Sequence, residues 1–191
     1  MHACLIAPRP GGAACGMGPS GENIWKVGRI AEVPMIPTMI DVYLRQHGLR
    51  FEHFAHSRTV TAQRLAAAEH VPGARVAKAV VVSVDGKLCL AVVPATGHVD
   101  AEVLRQALQA REVHLVPESR FAERFWPCEP GAEPPLSLFG VPIYVDAHLA
   151  REPWLLMRGG THEDAIQLET DDWLLSERAR IVQDLAAPGL P

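Results

Sequence analysis

The chain has no Cys-x-x-Cys pair; its four cysteines stand apart at positions 4, 15, 89 and 128. That pattern offers neither a zinc ribbon nor a disulfide framework, so a reducing compartment, the cytoplasm, is the expected setting. No block of five or more lysines and arginines occurs, and the formal net charge is −4. A protein that grips long nucleic acid through many phosphates is normally more basic, so DNA is not an expected partner; contact with the end of an RNA stays compatible. No segment approaches the length of a membrane span. The short apolar run Ala3-Cys-Leu-Ile-Ala7, followed by Pro8-Arg-Pro-Gly-Gly12, does not read as a signal peptide. P-loop, GxSxG and HExxH motifs are missing, and so are internal repeats. What remains, 48% hydrophobic and 21% charged over 191 residues, describes a soluble globular protein built on one core.

Residues 1–34 are rich in Gly, Pro, Ala and Ser without periodicity and read as a disordered tail ahead of a domain over 35–188. Met35 and Met39 stand just before the first helical pattern, and either is a candidate natural start. Thr38 to His47 reads as a helix stopped by Gly48, Leu49 to Ala55 as a strand, and Thr61 to His70 as an Ala-rich helix. Arg75 to Val84 and Lys87 to Val93 are β-rich runs around Asp85-Gly86, a strong hairpin signal. Asp100 is placed to cap a helix to about Ala110, with a strand at Glu112 to Val116 and a helix at Glu118 to Trp126. Further β runs follow at Val141 to Val145, Trp154 to Met157 and Ala165 to Leu168, and Thr170 is placed to cap a last helix through Leu185. Strands interleaved with short helices, some joined by a hairpin, give a mixed-sheet α/β or α+β fold. Trp126, Trp154 and Trp173 fall among apolar neighbours and read as core. Arg105, Arg111, Arg120 and Arg124 read as solvated helix faces.

Three local features are candidates for chemistry. Lys78 sits in Val76-Ala-Lys-Ala-Val-Val-Val82, a run apolar on both faces and therefore a strand covered on both sides. Burying an unpartnered ammonium group costs several kcal/mol or lowers its pKa. Lys78 thus snorkels, forms a structural ion pair, or points into a cleft that receives an anionic or carbonyl-rich group. Second, Pro127-Cys-Glu-Pro-Gly-Ala-Glu-Pro-Pro135 holds four prolines in nine residues, with Gly131 as its one flexible point. Such a loop is able to aim backbone N–H groups at an oxyanion, or is an ordinary stiff crossover. Third, Gly159-Gly-Thr-His-Glu163 carries His162, an acid/base or orienting candidate near neutral pH, or a solvated loop histidine. His53 and His56, three apart on a strand, face opposite sides without an acid or cysteine at ligand spacing, so no metal is expected.

Taken together and in this order, the features resemble the YbaK/EbsC family, the fold of the editing domain of bacterial prolyl-tRNA synthetases and of its free-standing relatives. The resemblance spans about residues 38–185. It rests on His56-Ser-Arg-Thr59, the Val-Pro-Gly turn at 71–73, Lys78 in Val-Ala-Lys-Ala-Val, a GxxxP loop as Gly131-Ala-Glu-Pro-Pro135, and Gly160-Thr-His162. It implies a mostly antiparallel mixed sheet or barrel surrounded by short helices. It implies as well a metal-independent, cofactor-free aminoacyl-tRNA deacylase that hydrolyses the ester of a misacylated tRNA.

On that resemblance Lys78, Gly131 and His162 are the catalytic candidates, and His56, Thr59, Pro134, Pro135, Gly160 and Thr161 contact the substrate. The GxxxP loop presents amides to the aminoacyl group, and water attacks with help from the tRNA's terminal hydroxyl. The partner is the acceptor end of an aminoacyl-tRNA, with a transient encounter with prolyl-tRNA synthetase. His162 is similar to the alanine-editing branches, which puts Ala on tRNAPro first and Cys second. Ala79, where several branches carry a polar residue, fits the alternative, a catalytically silent module that binds an aminoacyl or nucleotide ligand. An editing step of this kind has a physical rationale, because a synthetase pocket separates small apolar side chains by only about 1–3 kcal/mol per methylene.

Overall fold

The structure, a computed structural model, describes residues 36–188. The tail expected over 1–34 and the candidate start at Met35 lie outside the described residues. Helix α1 (Thr38–Gln46) presents Ile40, Tyr43 and Leu44 to the core at helical spacing. Strand β1 (Phe51–Ala55) follows, then α2 (Ala62–Ala68), whose N-cap Thr61 accepts the Arg64 amide at 3.2 Å. Strands β2 (Val76–Val84) and β3 (Lys87–Pro94) form the expected hairpin across Asp85-Gly86. A short β4 (Gly97–Val99), not anticipated, leads to α3 (Ala101–Leu108), where Asp100 Oδ1 accepts the amides of Glu102 and Val103 at 2.9 and 3.0 Å. The chain continues through β5 (Val113–Leu115), β6 (Ile143–Asp146), β7 (Trp154–Arg158), β8 (Asp164–Glu169), α4 (Thr170–Glu177), β9 (Arg180–Val182) and β10 (Ala186–Pro188).

The main sheet runs β1-β8-β7-β2-β3-β6-β9, with β5 on β2, and β4 pairs with β10 in a second, two-stranded sheet. The pairs β1·β8, β7·β8, β2·β3, β2·β5 and β4·β10 are antiparallel; β2·β7, β3·β6 and β6·β9 are parallel. This is a mixed, mostly antiparallel α+β fold. Strand β2 is covered on both sides: Ala77 and Val81 join the core beneath α1, while Val82 packs with Leu104 of α3 on the opposite face. Buried Glu177 ties α1 and α4 to the proline-dense loop, accepting the Tyr43 hydroxyl at 3.0 Å and the Ser137 amide.

Three expectations are corrected. The last helix does not reach Leu185 and Thr170 does not cap it; Glu169 holds the cap position and the helix ends at Arg178, at φ 51°. The residues after it are drawn into the sheet instead, with β9 beside β6 and the Ala186 amide on Asp146 Oδ2 at 2.9 Å, so tertiary pairing overrides helix propensity. The helix expected over 118–126 is two 3₁₀ turns, Glu118–Arg120 and Ala122–Phe125, because Pro127 keeps Trp126 out of helical geometry. Trp126 is not core but 73% exposed, whereas Trp173 is fully buried and half-buried Trp154 lies under the Arg75 guanidinium at 4.9 Å.

Candidate active site

A cleft of about 440 Å³ opens beside β2. Its floor is Ala77 to Val81 of β2. One wall is the start of α2 from Thr61 with Arg158 at the end of β7; the other is Glu118, Phe121, Gly131 and Glu133. Lys78 lines it, half-buried, with its Nζ donating to the carbonyl of Gly97. No carboxylate among the described residues pairs with it, so it is not part of an ion pair, and burial pushes its pKa down from the ordinary lysine value. Of the readings open to this lysine, the cleft position is the one adopted.

Gly131 sits at the rim with φ +81°, a left-handed angle that favours glycine. A side chain there would meet Glu118 Oε1 at 3.4 Å and His162 Cε1 at 3.7 Å. Its N–H donates to Glu133 Oε1 at 3.0 Å. Glu133 is itself buried in the cleft wall; burial pushes its carboxyl pKa up, against the opposing pull of its own amide and that of Gly131. Pro134 and Pro135 are buried and anchor the loop: the Pro134 carbonyl accepts the Leu136 amide at 2.8 Å, and the Pro135 carbonyl accepts Trp173 Nε1 at 2.9 Å.

His162 is buried behind this loop. Its amide donates to Glu129 Oε2 at 2.8 Å and its Nε2 lies 3.0 Å from the Pro130 carbonyl. A carbonyl only accepts, so Nε2 carries the proton and Nδ1 is buried without a partner. His162 therefore holds Pro130, and through it Gly131, rather than facing the cleft. Glu129 also binds Arg58 at 3.0 Å. Partial burial raises its pKa, but the His162 amide and Arg58 outweigh that and leave it below the usual value.

The remaining expected residues gather at the same junction. The Thr59 amide donates to the His162 carbonyl at 2.9 Å and the His56 amide to the Glu163 carbonyl at 2.9 Å. Thr161 donates to Asp164 Oδ2, and buried Gly160, at φ +104°, packs under α1. Of all nine expected residues, Lys78 and Gly131 line the cleft; His56, Thr59, Gly160, Thr161 and His162 meet behind it, and Pro134 and Pro135 anchor the loop. His53, set aside as a ligand, pairs with Asp164 at 2.6 Å, and no metal-holding group of three His, Cys, Asp or Glu occurs among the described residues.

Among the lining residues that escaped the sequence reading, two carry charge in buried positions, Glu133 and Arg158. Glu133 is an acid in a proline-stiffened loop. Arg158 closes the apolar run Trp154-Leu-Leu-Met157, a cation in a covered strand and so the same kind of signal as Lys78. Arg158 is 7% exposed, and its Nη1 donates to Thr59 Oγ1 at 2.8 Å and to the His162 carbonyl at 3.4 Å. Nη2 donates to the Thr61 carbonyl at 3.2 Å. Burial pushes its pKa down to about 10.

The geometry agrees with what comparison with known proteins returns. The family model of the aminoacyl-tRNA editing domain matches residues 56–175, a span that holds Lys78, the Gly131 loop and His162. No curated protein matches the sequence. Among solved structures, a hypothetical protein superposes with a TM-score of 0.71 at 17% identity, over 78% of this chain and 99% of the other. A protein described as a candidate trans-editing enzyme for prolyl tRNA synthetase gives 0.66 at 19% identity, over 80% and 96%. A candidate signal transduction protein from Marinobacter aquaeolei gives 0.61 at 16% identity, over 80% of this chain and 31% of that one, so the same fold occurs within a longer polypeptide. At these identities the superpositions establish the fold, and the family match establishes the rest: the chain belongs to the aminoacyl-tRNA editing domain family.

Proposed function

We propose that the protein hydrolyses the ester between a small amino acid and the 3′ end of a tRNA, Ala on tRNAPro first and Cys second, without a metal ion. One observation carries the reading: Lys78, a cation bonded only to a carbonyl, shares one cleft with the Gly131–Glu133 loop in a chain of this family. The reaction consumes one water and yields a free amino acid and a free ribose hydroxyl. An aminoacyl ester is already activated, so a cation and aligned dipoles lower the barrier without a protein nucleophile. Lys78 stabilises the negative charge that develops on the ester carbonyl. The loop held by His162, Pro134 and Pro135 closes on the aminoacyl group, and the tRNA's terminal hydroxyl assists the water. His56, Thr59, Gly160 and Thr161 act as the frame on which that loop is set.

The tRNAPro assignment draws support from the neighbour described as a candidate trans-editing enzyme for prolyl tRNA synthetase; a transient encounter with that synthetase and a cytoplasmic location belong to the same reading. The Gly131 amide, already bonded to Glu133, favours a second reading, a silent module that binds an aminoacyl or nucleotide ligand. Deacylation of tRNAPro charged with Ala, Cys, Ser or Pro, with and without EDTA, separates the two. Release of Ala ahead of Cys, with Pro spared and no effect of EDTA, is the expected result. Binding without release of any of the four supports the silent module, and loss on chelation with recovery on adding zinc contradicts the metal-free mechanism.

A further inference from the structure

We propose that Arg158 forms an anion subsite in the wall of the cleft, which takes the phosphate on the 5′ side of the terminal nucleoside of the tRNA. The assignment of the ligand rests on the deacylase reading above. Arg158 is buried, lines the cleft, and is bonded to three neutral oxygens: Thr59 Oγ1 and the carbonyls of Thr61 and His162. A guanidinium carries five N–H donors, so the Nε N–H and one at Nη2 have no protein acceptor among the described residues. Nε and Nη2 share the edge that grips phosphate in bidentate fashion. Arg158 has no direct ion-pair partner among the described residues, only the longer-range attraction of Glu129; a buried cation so placed is expensive, and a ligand anion lowers that cost.

The nearby acids do not fill this role. Glu129 is engaged by Arg58 and by the His162 amide, and Glu118 and Glu133 belong to the wall on the Gly131 side. The cleft is thus lined by the cations Arg158 and Lys78 and by the carboxylates of Glu118 and Glu133. An aminoacyl-nucleotide has the matching polarity, an anionic phosphate at one end and an α-ammonium at the other. The volume of about 440 Å³ lies within the range of sites that enclose a ligand of this size.

Calorimetric titration of the full chain with adenosine and with adenosine 5′-monophosphate tests this without requiring turnover. The wild type should bind the monophosphate roughly 10-fold or more tightly than adenosine, the scale of a hydrogen-bonded charge pair. Arg158→Gln should bring the ratio to about one, and Arg158→Lys, which keeps a cation and loses the fork, should restore it in part. Equal binding by the wild type, or an undiminished ratio in Arg158→Gln, overturns the subsite. A purely structural arginine would weaken both ligands in step and leave the ratio at the wild-type value. The second arm compares kcat/KM for 3′-O-alanyl-adenosine and its 5′-monophosphate, where Arg158→Gln should lose more on the phosphorylated ester. Failure of the wild type to cleave either ester or any aminoacyl-tRNA counts against the deacylase reading, while the binding ratio still decides the role of Arg158.

Discussion

Glu133 places a carboxyl group in the cleft wall where burial favours its neutral form. Because its folded pKa is raised, the folded protein holds that proton more tightly than the unfolded chain does. Its contribution to stability therefore falls as pH rises from the ordinary carboxylate range through the raised value, and is level above it. Glu133→Gln keeps an acceptor for the Gly131 amide and removes the titration. Its melting temperature relative to wild type should rise across that window, followed by thermal melts from pH 4 upward; a difference that falls with pH would show the carboxylate to be stabilised instead. Gly131 is the second residue-scale test. Gly131→Val carries left-handed backbone strain of about 1–2 kcal/mol and brings a side chain against Glu118 and His162. If the loop meets the aminoacyl group, turnover should fall by roughly 100-fold or more, well beyond the loss of folded protein. A drop in activity that matches the drop in stability would assign this glycine to the turn alone.

Helix α1 lies against the β7–β8 connection, and the contact depends on two missing side chains. A Cβ at Gly159 would stand 2.7 Å from Ile36 Cγ2, and one at Gly160 2.6 Å from Ile40 Cδ1. Gly160→Ala should therefore destabilise the fold by about 2–4 kcal/mol, overpacking and left-handed strain together, with faster amide exchange in α1 than elsewhere. Unchanged urea unfolding would show that α1 shifts to make room at no cost. The glycine pair was visible in the sequence, but its partner, some 120 residues earlier in the chain, was not. Local signals fared better. The Asp85-Gly86 turn between β-rich runs and the Asp100 cap are set by neighbouring residues, and each is formed as expected. The end of α4 is set by β6, reached only through the tertiary fold, so the local pattern overran it.

At the scale of the molecule, the position of β2 was legible because a strand covered on both faces carries apolar residues at every step from Val76 to Val82 save one. The exception, Lys78, marks the cleft. Arg158 repeats that signal one strand away and went unread, since it stands at the end of its apolar run and resembles a solvated terminus. Which residues face the cleft and which support it depends on the parallel β2·β7 pairing, which no local pattern encodes. Of the nine expected site residues, Lys78 and Gly131 line the cleft. Lys78 is the group on which the proposed chemistry turns, and its truncation opens no large void because the side chain lines the open cleft. Single-turnover release of alanine from Ala-tRNAPro by wild type and by Lys78→Ala, paired with melting curves for both, measures this directly. The variant should melt within a few degrees of wild type and release no alanine above the uncatalysed rate; alanine release by the variant at the wild-type rate would contradict the role of Lys78.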